Sequence, residues 1–555
     1  MSDKKKKIAK GIVVQGSILA IAGILCRIIG VARRVPLTNI IGDTGNGYYA
    51  AAYEFYSIIL ILSSYSLPAA VSKLIAQRQS RGQYKKMQKV FQGALIFAII
   101  SGGFFSLIVF IFADFFSTTI MGEAMSTMAM RVLAPTIFVV ALMAVFRGYF
   151  QGLGIMHFTA FSQVLEQIIL VIVSLSAAKL LFGVGTKYGN LMMNENYAPA
   201  LGAAGATIGC GVGALAGLLL MVYFYMHNKN AIERRVIADT SKNRDTFLDV
   251  LILILRTAIP MILCSVMYNI CGVVDQSVFN HHMIKIGESD VKSFYWGVYS
   301  GKYKLMITLP IALANAMCSA IIPSLTGSIE NKDYVSARSK MATVIRVTMI
   351  ISFPAAFGLA ILGKPIISLL FNGEIDLAAI MLMYGSVSVV FFSLSTLGNG
   401  ILQGLNKLKT PVLNSLIAFV LHFLALLLML KVFNWGIHSV VIANLLFAVF
   451  VSALNHFAIY RTIAYKQEIK QTFLIPLISS VIMGVFTFLS YFLLSKIMDF
   501  RIALFIAMGI AVVIYFTALI LLKGVNEYDL SLIPFGSKIY SVLHRLGIYK
   551  DIDEE

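Results

Sequence analysis

The residues in this chain that could do chemistry are charges set inside apolar runs. Arg27, Glu54, Arg131, Arg147, Glu166, Lys179, Arg256, Asp275, Lys302, Lys304 and Arg346 all interrupt otherwise aliphatic or aromatic segments. A charge in hydrocarbon is costly unless it faces protein, water or an opposite charge, so each is a candidate functional group. Eight of the eleven are basic and three acidic, a balance that suits an anionic ligand such as a pyrophosphate. The richest stretch is Ile18 to Ile41, ILAIAGILCRIIGVARRVPLTNII, which holds Arg27, Arg33 and Arg34. Arg27 and Arg34 are seven residues apart, two helical turns, which places them on one face roughly 10 Å apart. Gly23 and Gly30 lie near that face and leave room for another helix or a bulky ligand. These arginines are expected to point into a central cavity, with Arg147 and one of Lys302 or Lys304 converging from other segments.

Each charge also has a structural reading. Arg33 and Arg34 suit a helix end that snorkels to the interface, whereas Arg27 is too deep to do so easily. Arg147 and Glu166 suit an ion pair between neighbouring helices. Arg256 and Arg346 lie near one membrane face, and Lys179 and Arg131 near the other. His422 reads as a core histidine rather than a ligand. No enzymatic pattern accompanies these charges: there is no GxxxxGK loop, HExxH, CxxC or GxSxG. The five cysteines, Cys26, Cys210, Cys264, Cys271 and Cys318, sit in apolar segments without metal-ligand spacing.

The elements that must position these charges are membrane helices. Of 555 residues, 59% are hydrophobic and 13% charged, against about 25% charged in soluble domains. The apolar segments are too long for barrel strands. Fourteen spans are predicted, at about 11–35, 46–72, 88–112, 126–150, 158–182, 200–226, 251–280, 296–325, 341–363, 376–403, 411–432, 436–460, 471–495 and 501–523. The loops on the amino-terminal side hold 28 Lys and Arg; the opposite loops hold 7, namely Lys187, Lys285, Lys292, Lys364, Lys431, Lys496 and Arg501. That asymmetry predicts cytoplasmic termini. It also assigns much of the +19 net charge to topology and anionic lipid rather than nucleic acid. The amino terminus, MSDKKKKIAKG, reads as the start of a retained first helix, because no small-residue cleavage site follows its apolar run. Asp245–Arg256 and Tyr528–Tyr549 read as interfacial helices, and the final DIDEE as a disordered acidic end.

The chain repeats. Gln-Gly-Leu recurs in YFQGLGIMHFTAFSQVLEQ from Tyr149 and ILQGLNKLKTPVLNSLIAF from Ile401, each closing an even-numbered span. YSLPAAVSKLIAQRQSRGQYKKMQKVFQGAL from Tyr65 parallels CSAIIPSLTGSIENKDYVSARSKMATVIRV from Cys318, and LGAAGATIGCGVG from Leu201 parallels WGIHSVVIANLLF from Trp435. The expected architecture is therefore all-α and polytopic: two six-helix lobes in parallel repeat plus two carboxy-terminal helices, with a cavity between the bundles. The domain limits are 1–228 for the first lobe and 229–465 for the second. The last two spans occupy 466–524, and an amphipathic cytoplasmic tail 525–555.

CRIIGVARR in the first span, FRGYFQGLGIMHFTAFSQVLEQ (Phe146 to Gln167) and LPIALANAMCSAIIPSLTGSIENKDY (Leu309 to Tyr334) resemble the polysaccharide-exporter branch of the MATE/MOP flippase superfamily. Within it the chain is most similar to the YtgP/SpoVB group, related to the MurJ lipid II flippases. The resemblance spans about residues 8 to 523. It implies a flippase in the plasma membrane of a Gram-positive bacterium. This would carry the undecaprenyl-pyrophosphate-linked peptidoglycan precursor, lipid II, outward by alternating access, with no catalytic residues. Family arginines of the first span match Arg27 and Arg33; the next position, often acidic in the MurJ branch, is Arg34 here. Its span 8 arginine has no clean match, and Lys302 or Lys304 stands in. Some relatives hold sodium between spans 7 and 11, for which Asn269, Asp275 and Asn414 are the only nearby candidates and a second acidic ligand is missing. The expected site is thus Arg27, Arg33, Arg34, Arg147, Lys302, Lys304, Glu54 and Glu166, with no cofactor. Resetting would come from membrane potential, H+ or Na+. The partners are the glycolipid, the bilayer and, by recruitment, cell-wall synthases. The competing readings are a flippase for a capsule or spore-envelope oligosaccharide, a cation-coupled multidrug exporter, and a scaffold for wall synthases.

Overall fold

The computed structural model describes residues 2–65, 67–239, 247–407 and 409–524. The side chains of the amino-terminal lysines, the loop around Lys242 and everything from 525 onward, including Tyr528–Tyr549 and DIDEE, lie outside the described residues. Among the described residues every regular element is helical. Among the described residues ten helices are long and apolar enough to cross a membrane, or eleven if Asp376–Gly385 and Ser388–Gly404, bent by 53°, form one span. The chain is a multi-pass helical membrane protein. The two spans read at 11–35 and 46–72 come as one helical run, Ser2–Leu60, broken only at Gly42, whose φ of 72° and ψ of 178° leave the helical region. A positive φ is open to glycine without a Cβ penalty, so the kink is placed by the sequence. The spans read at 251–280 and 296–325 are helical in Phe247–Lys285 and Lys304–Glu330.

Two compact units divide the chain. The first comprises Met1–Lys302 with Phe371–Glu374 and Phe423–Val440, and the second Tyr303–Leu370, Ile375–His422 and Val441–Glu555. In the first unit, helix Tyr197–Ile237 lies close along helix Met156–Met192 because its facing side carries Gly205, Gly209 and Gly213. A Cβ at Gly205 would stand 2.4 Å from the Ala177 carbonyl oxygen, and one at Gly209 would stand 2.5 Å from the Ser174 Cβ. Such small-residue stripes replace the absent hydrophobic driving force in lipid with close van der Waals contact. Gly209→Val is therefore expected to lower the amount of protein in the membrane, since overpacking costs about 1–3 kcal/mol; an immunoblot of membrane fractions at unchanged level would remove this contact from the account.

The stretch read as interfacial before the seventh span begins helix Phe247–Lys285, which runs on without a break. Val250 and Ile254 are buried in one cluster with Leu67, Phe91, Phe146, Tyr149 and Met221. In the second unit the last two helices, Ile475–Leu494 and Phe500–Leu521, pack on helix Tyr334–Leu370 through Ile350, Ile475, Met483, Tyr515 and Leu519. The Tyr515 hydroxyl donates to the Ile350 carbonyl at 2.6 Å. The buried phenol thereby finds its partner on the helix it packs against.

Candidate functional site

The first helix buries Arg33 inside the first unit and leaves Arg34 half-buried beside it. Arg33 is 7% exposed. Its Nη1 donates to the Ser174 hydroxyl at 3.0 Å and its Nη2 to the Tyr49 hydroxyl at 3.3 Å. Ser174 is set in place by the glycine stripe, opposite Gly209. Tyr49 stacks on Tyr53 one turn later, with centroids 5.5 Å apart and planes 15° apart. The Arg34 guanidinium stands 5.9 Å from both rings, and that of Arg33 stands 6.0 Å from Tyr49, the range of cation–π attraction. Among the described residues neither arginine is ion-paired to a carboxylate, and the Arg33 Nε has no partner. A buried guanidinium held only by hydroxyls and ring faces keeps its full positive charge available to an anion.

Arg27 is placed differently. It is exposed, and at this level the helix also exposes Ile24, Leu25 and Ile28 around its circumference. The reading in which Arg33 snorkels while Arg27 is buried is reversed. The reason is helical geometry: Arg33 lies about 100° round the helix from Arg34, towards Ser174, whereas Arg27 shares the Arg34 face. A Cβ at Gly23 would meet nothing within 4 Å, so that face is open at this level.

Arg147 and Glu166 form an ion pair at 2.7 Å, with side chains 13% and 17% exposed. Arg147 Nε also donates to the Ser162 hydroxyl at 2.9 Å. These contacts pin helix Thr127–Gly152 to helix Met156–Met192 and occupy Arg147 from within. Glu166→Ala is expected to lower abundance by leaving a partly buried guanidinium bare. The double variant Arg147→Met/Glu166→Leu is expected to restore abundance and keep transport; loss of transport at restored abundance would instead place the pair in the ligand site.

Lys302 is not available to an external anion in this structure. It is fully buried at the end of a π-helical turn, Tyr299–Tyr303. Its ammonium pairs with Asp43 at 2.8 Å and donates to the carbonyls of Asn372 at 2.8 Å and Glu374 at 2.7 Å. Three donors meet three acceptor groups, so the ammonium is saturated. Asp43 also accepts from the Glu374 backbone N–H at 3.0 Å, and Asn39 from that of Asn372 at 2.9 Å. Glycines make the seam this tight: a Cβ at Gly297 would lie 1.7 Å from the Asp43 carbonyl oxygen, and one at Gly373, where φ is +77°, would lie 2.6 Å from Asp43 Oδ2. Sequence reasoning missed Asp43 as the partner of Lys302. The Gly42-Asp43 pair following a proline-containing helix was the available signal.

The other candidates are scattered. Lys304 is partly buried in the second unit. Glu54 faces Gly272, where a Cβ would lie 2.5 Å from its Oε2. Asp275 is buried and Asn269 exposed, its amide donating to the Ser265 carbonyl at 2.8 Å. Asn414, in the second unit, donates to Asn455 at 2.9 Å. Among the described residues no three His, Cys, Asp or Glu side chains gather as a metal site.

A family model described as polysaccharide biosynthesis protein matches residues 12–328, more than half of the chain. The chain belongs to that family. A second model, MatE, matches residues 299–428. Over 483 residues the chain is 25% identical to the lipid II flippase MurJ of Bacillus subtilis, covering 84% of this chain and 86% of that one. It is 22% identical to the stage V sporulation protein B of the same organism over 466 residues, with coverage of 83% and 86%. Among solved structures it is similar to the lipid II flippase MurJ in an inward closed conformation, with a TM-score of 0.63 at 16% identity, covering 90% of this chain and 97% of that one. A multidrug resistance MATE family transporter of the MOP superfamily, in an inward-facing conformation, also gives a TM-score of 0.63 at 16% identity, covering 81% and 98%. The fold is that of these MOP-superfamily transporter structures, and the relative that is 25% identical is a flippase rather than an enzyme.

Proposed function

We propose that the chain flips undecaprenyl-pyrophosphate-linked peptidoglycan precursor, lipid II, from the inner to the outer leaflet of a Gram-positive plasma membrane. It does so with fourteen spans and both termini cytoplasmic. The observation that carries this reading is the buried Arg33 with the half-buried Arg34 beside it, two positive charges with no carboxylate partner among the described residues. A multidrug exporter that binds cations would need the opposite polarity there. A pyrophosphate suits the fork of Arg33, and the open Arg27 face leaves space for the bulk of the head group.

The seam of Asp43, Lys302, Asn372 and Glu374 is read as the outer closure of an alternating-access cycle. It lies where the loop-charge asymmetry puts the outer side. A saturated buried pair holds one state firmly yet exchanges to water when parted, which suits a gate more than a ligand site. Membrane potential, H+ or Na+ would supply the reset. Expression in a strain depleted of its lipid II flippase tests the reading: growth and rod shape should recover. Recovery only of a strain lacking a capsule-oligosaccharide flippase would transfer the substrate to that class.

A further inference from the structure

We propose that a cavity inside the second unit holds one hydrocarbon chain of an anionic inner-leaflet lipid, separate from the transported substrate. The cavity has a volume of about 250 Å³ and apolar walls that include Phe391, Ile401, Val449 and Phe473. Four polar side chains also line it: Ser452, Asn455, His456 and Gln467. Two of these are committed to the protein. The Ser452 hydroxyl donates to the Val449 carbonyl at 2.9 Å. Asn455 donates to Asn399 at 2.8 Å and to the Ser395 carbonyl at 3.3 Å, and accepts from Asn414. His456 and Gln467 make no hydrogen bond to the protein among the described residues, so an imidazole and a carboxamide remain for an occupant.

The mouth identifies that occupant. Ala453 lines the cavity and is exposed. Phe457 and Tyr460 follow on the same face of helix Ile437–Ile463 and are 51% and 43% exposed, an apolar side of the kind that contacts a bilayer. Arg461 closes this face with its guanidinium 4.3 Å from the Phe457 ring centre, and Lys466 and Lys470 are exposed beyond it. An apolar cavity that reaches a bilayer-facing side near Arg461, Lys466 and Lys470, where the one neighbouring carboxylate among the described residues, Glu468, is paired with Arg346 at 2.7 Å, has the chemistry of an acyl-chain site for an anionic headgroup. The chain would enter past Ala453, leaving the headgroup near His456, Gln467 and Arg461.

The test uses the full chain in nanodiscs, with Phe473→Trp as a reporter on the cavity wall and the parent emission subtracted. Chain-brominated phosphatidylglycerol should half-quench the reporter at about fivefold lower mole fraction than chain-brominated phosphatidylcholine, the preference expected for one basic side chain near an anionic surface. Phe486→Trp, on an exposed position, should show no headgroup preference. Adding Ala453→Leu at the mouth should abolish the preference at Phe473→Trp. Equal quenching by the two lipids, absence of quenching, or an effect untouched by Ala453→Leu would overturn the proposal. Val449→Trp is the second reporter if Phe473→Trp does not fold.

Discussion

Arg33→Ala is expected to abolish export while leaving protein in the membrane. The guanidinium is buried, bonded to two hydroxyls and close to an aromatic face, and has no carboxylate partner among the described residues. Removing it takes away a charge that the fold does not neutralise, so stability changes little beyond the lost packing, whereas an anion loses its fork. Arg33→Lys should retain only part of the activity, because an ammonium cannot reproduce the bidentate geometry. The double variant Tyr49→Phe/Ser174→Ala separates function from support. It removes both hydroxyl partners and leaves the charge, so export should fall far less than in Arg33→Ala. If the two variants lose export and abundance equally, Arg33 is a structural anchor.

Lys302→Ala should have the largest effect on stability. Among the described residues it leaves buried Asp43 with only the Glu374 N–H to face it, and breaking a buried pair from one side costs about 3–5 kcal/mol. Asp43→Asn should be nearly as damaging, because the buried ammonium loses its counter-charge. The double variant Asp43→Leu/Lys302→Met should recover much of the lost abundance. As the seam is read as an outer closure, the single variants should also raise labelling of Glu374→Cys by an impermeant thiol reagent in intact cells. Unchanged labelling in every variant would leave Asp43–Lys302 as a structural pair with no part in opening.

Much of the fold was legible because bilayer length and hydropathy dictate helices and their limits. The Gly42 break and the glycine stripe on Tyr197–Ile237 came from the structure, although the glycines themselves stand in the sequence. Side-chain direction was less legible. Arg27 and Arg34 do share a face, but only packing against Ser174 shows that Arg33 is the buried arginine. Lys302 looked like a ligand group because its partners, Asp43 and the Asn372 and Glu374 carbonyls, are distant in sequence and two of them are backbone. Arg147 and Glu166 were recoverable as a pair because short-range spacing on adjacent helices limits the options.

The central claim is that this chain carries a lipid-linked anionic head group outward by way of Arg33. Its most direct test is the outer-leaflet exposure of labelled lipid II in cells depleted of their own flippase, read by extracellular enzymatic cleavage of the exposed precursor. Exposure should be restored by the parent chain and absent with Arg33→Ala at matched membrane abundance. Equal exposure with the two chains, or none with either, would contradict it.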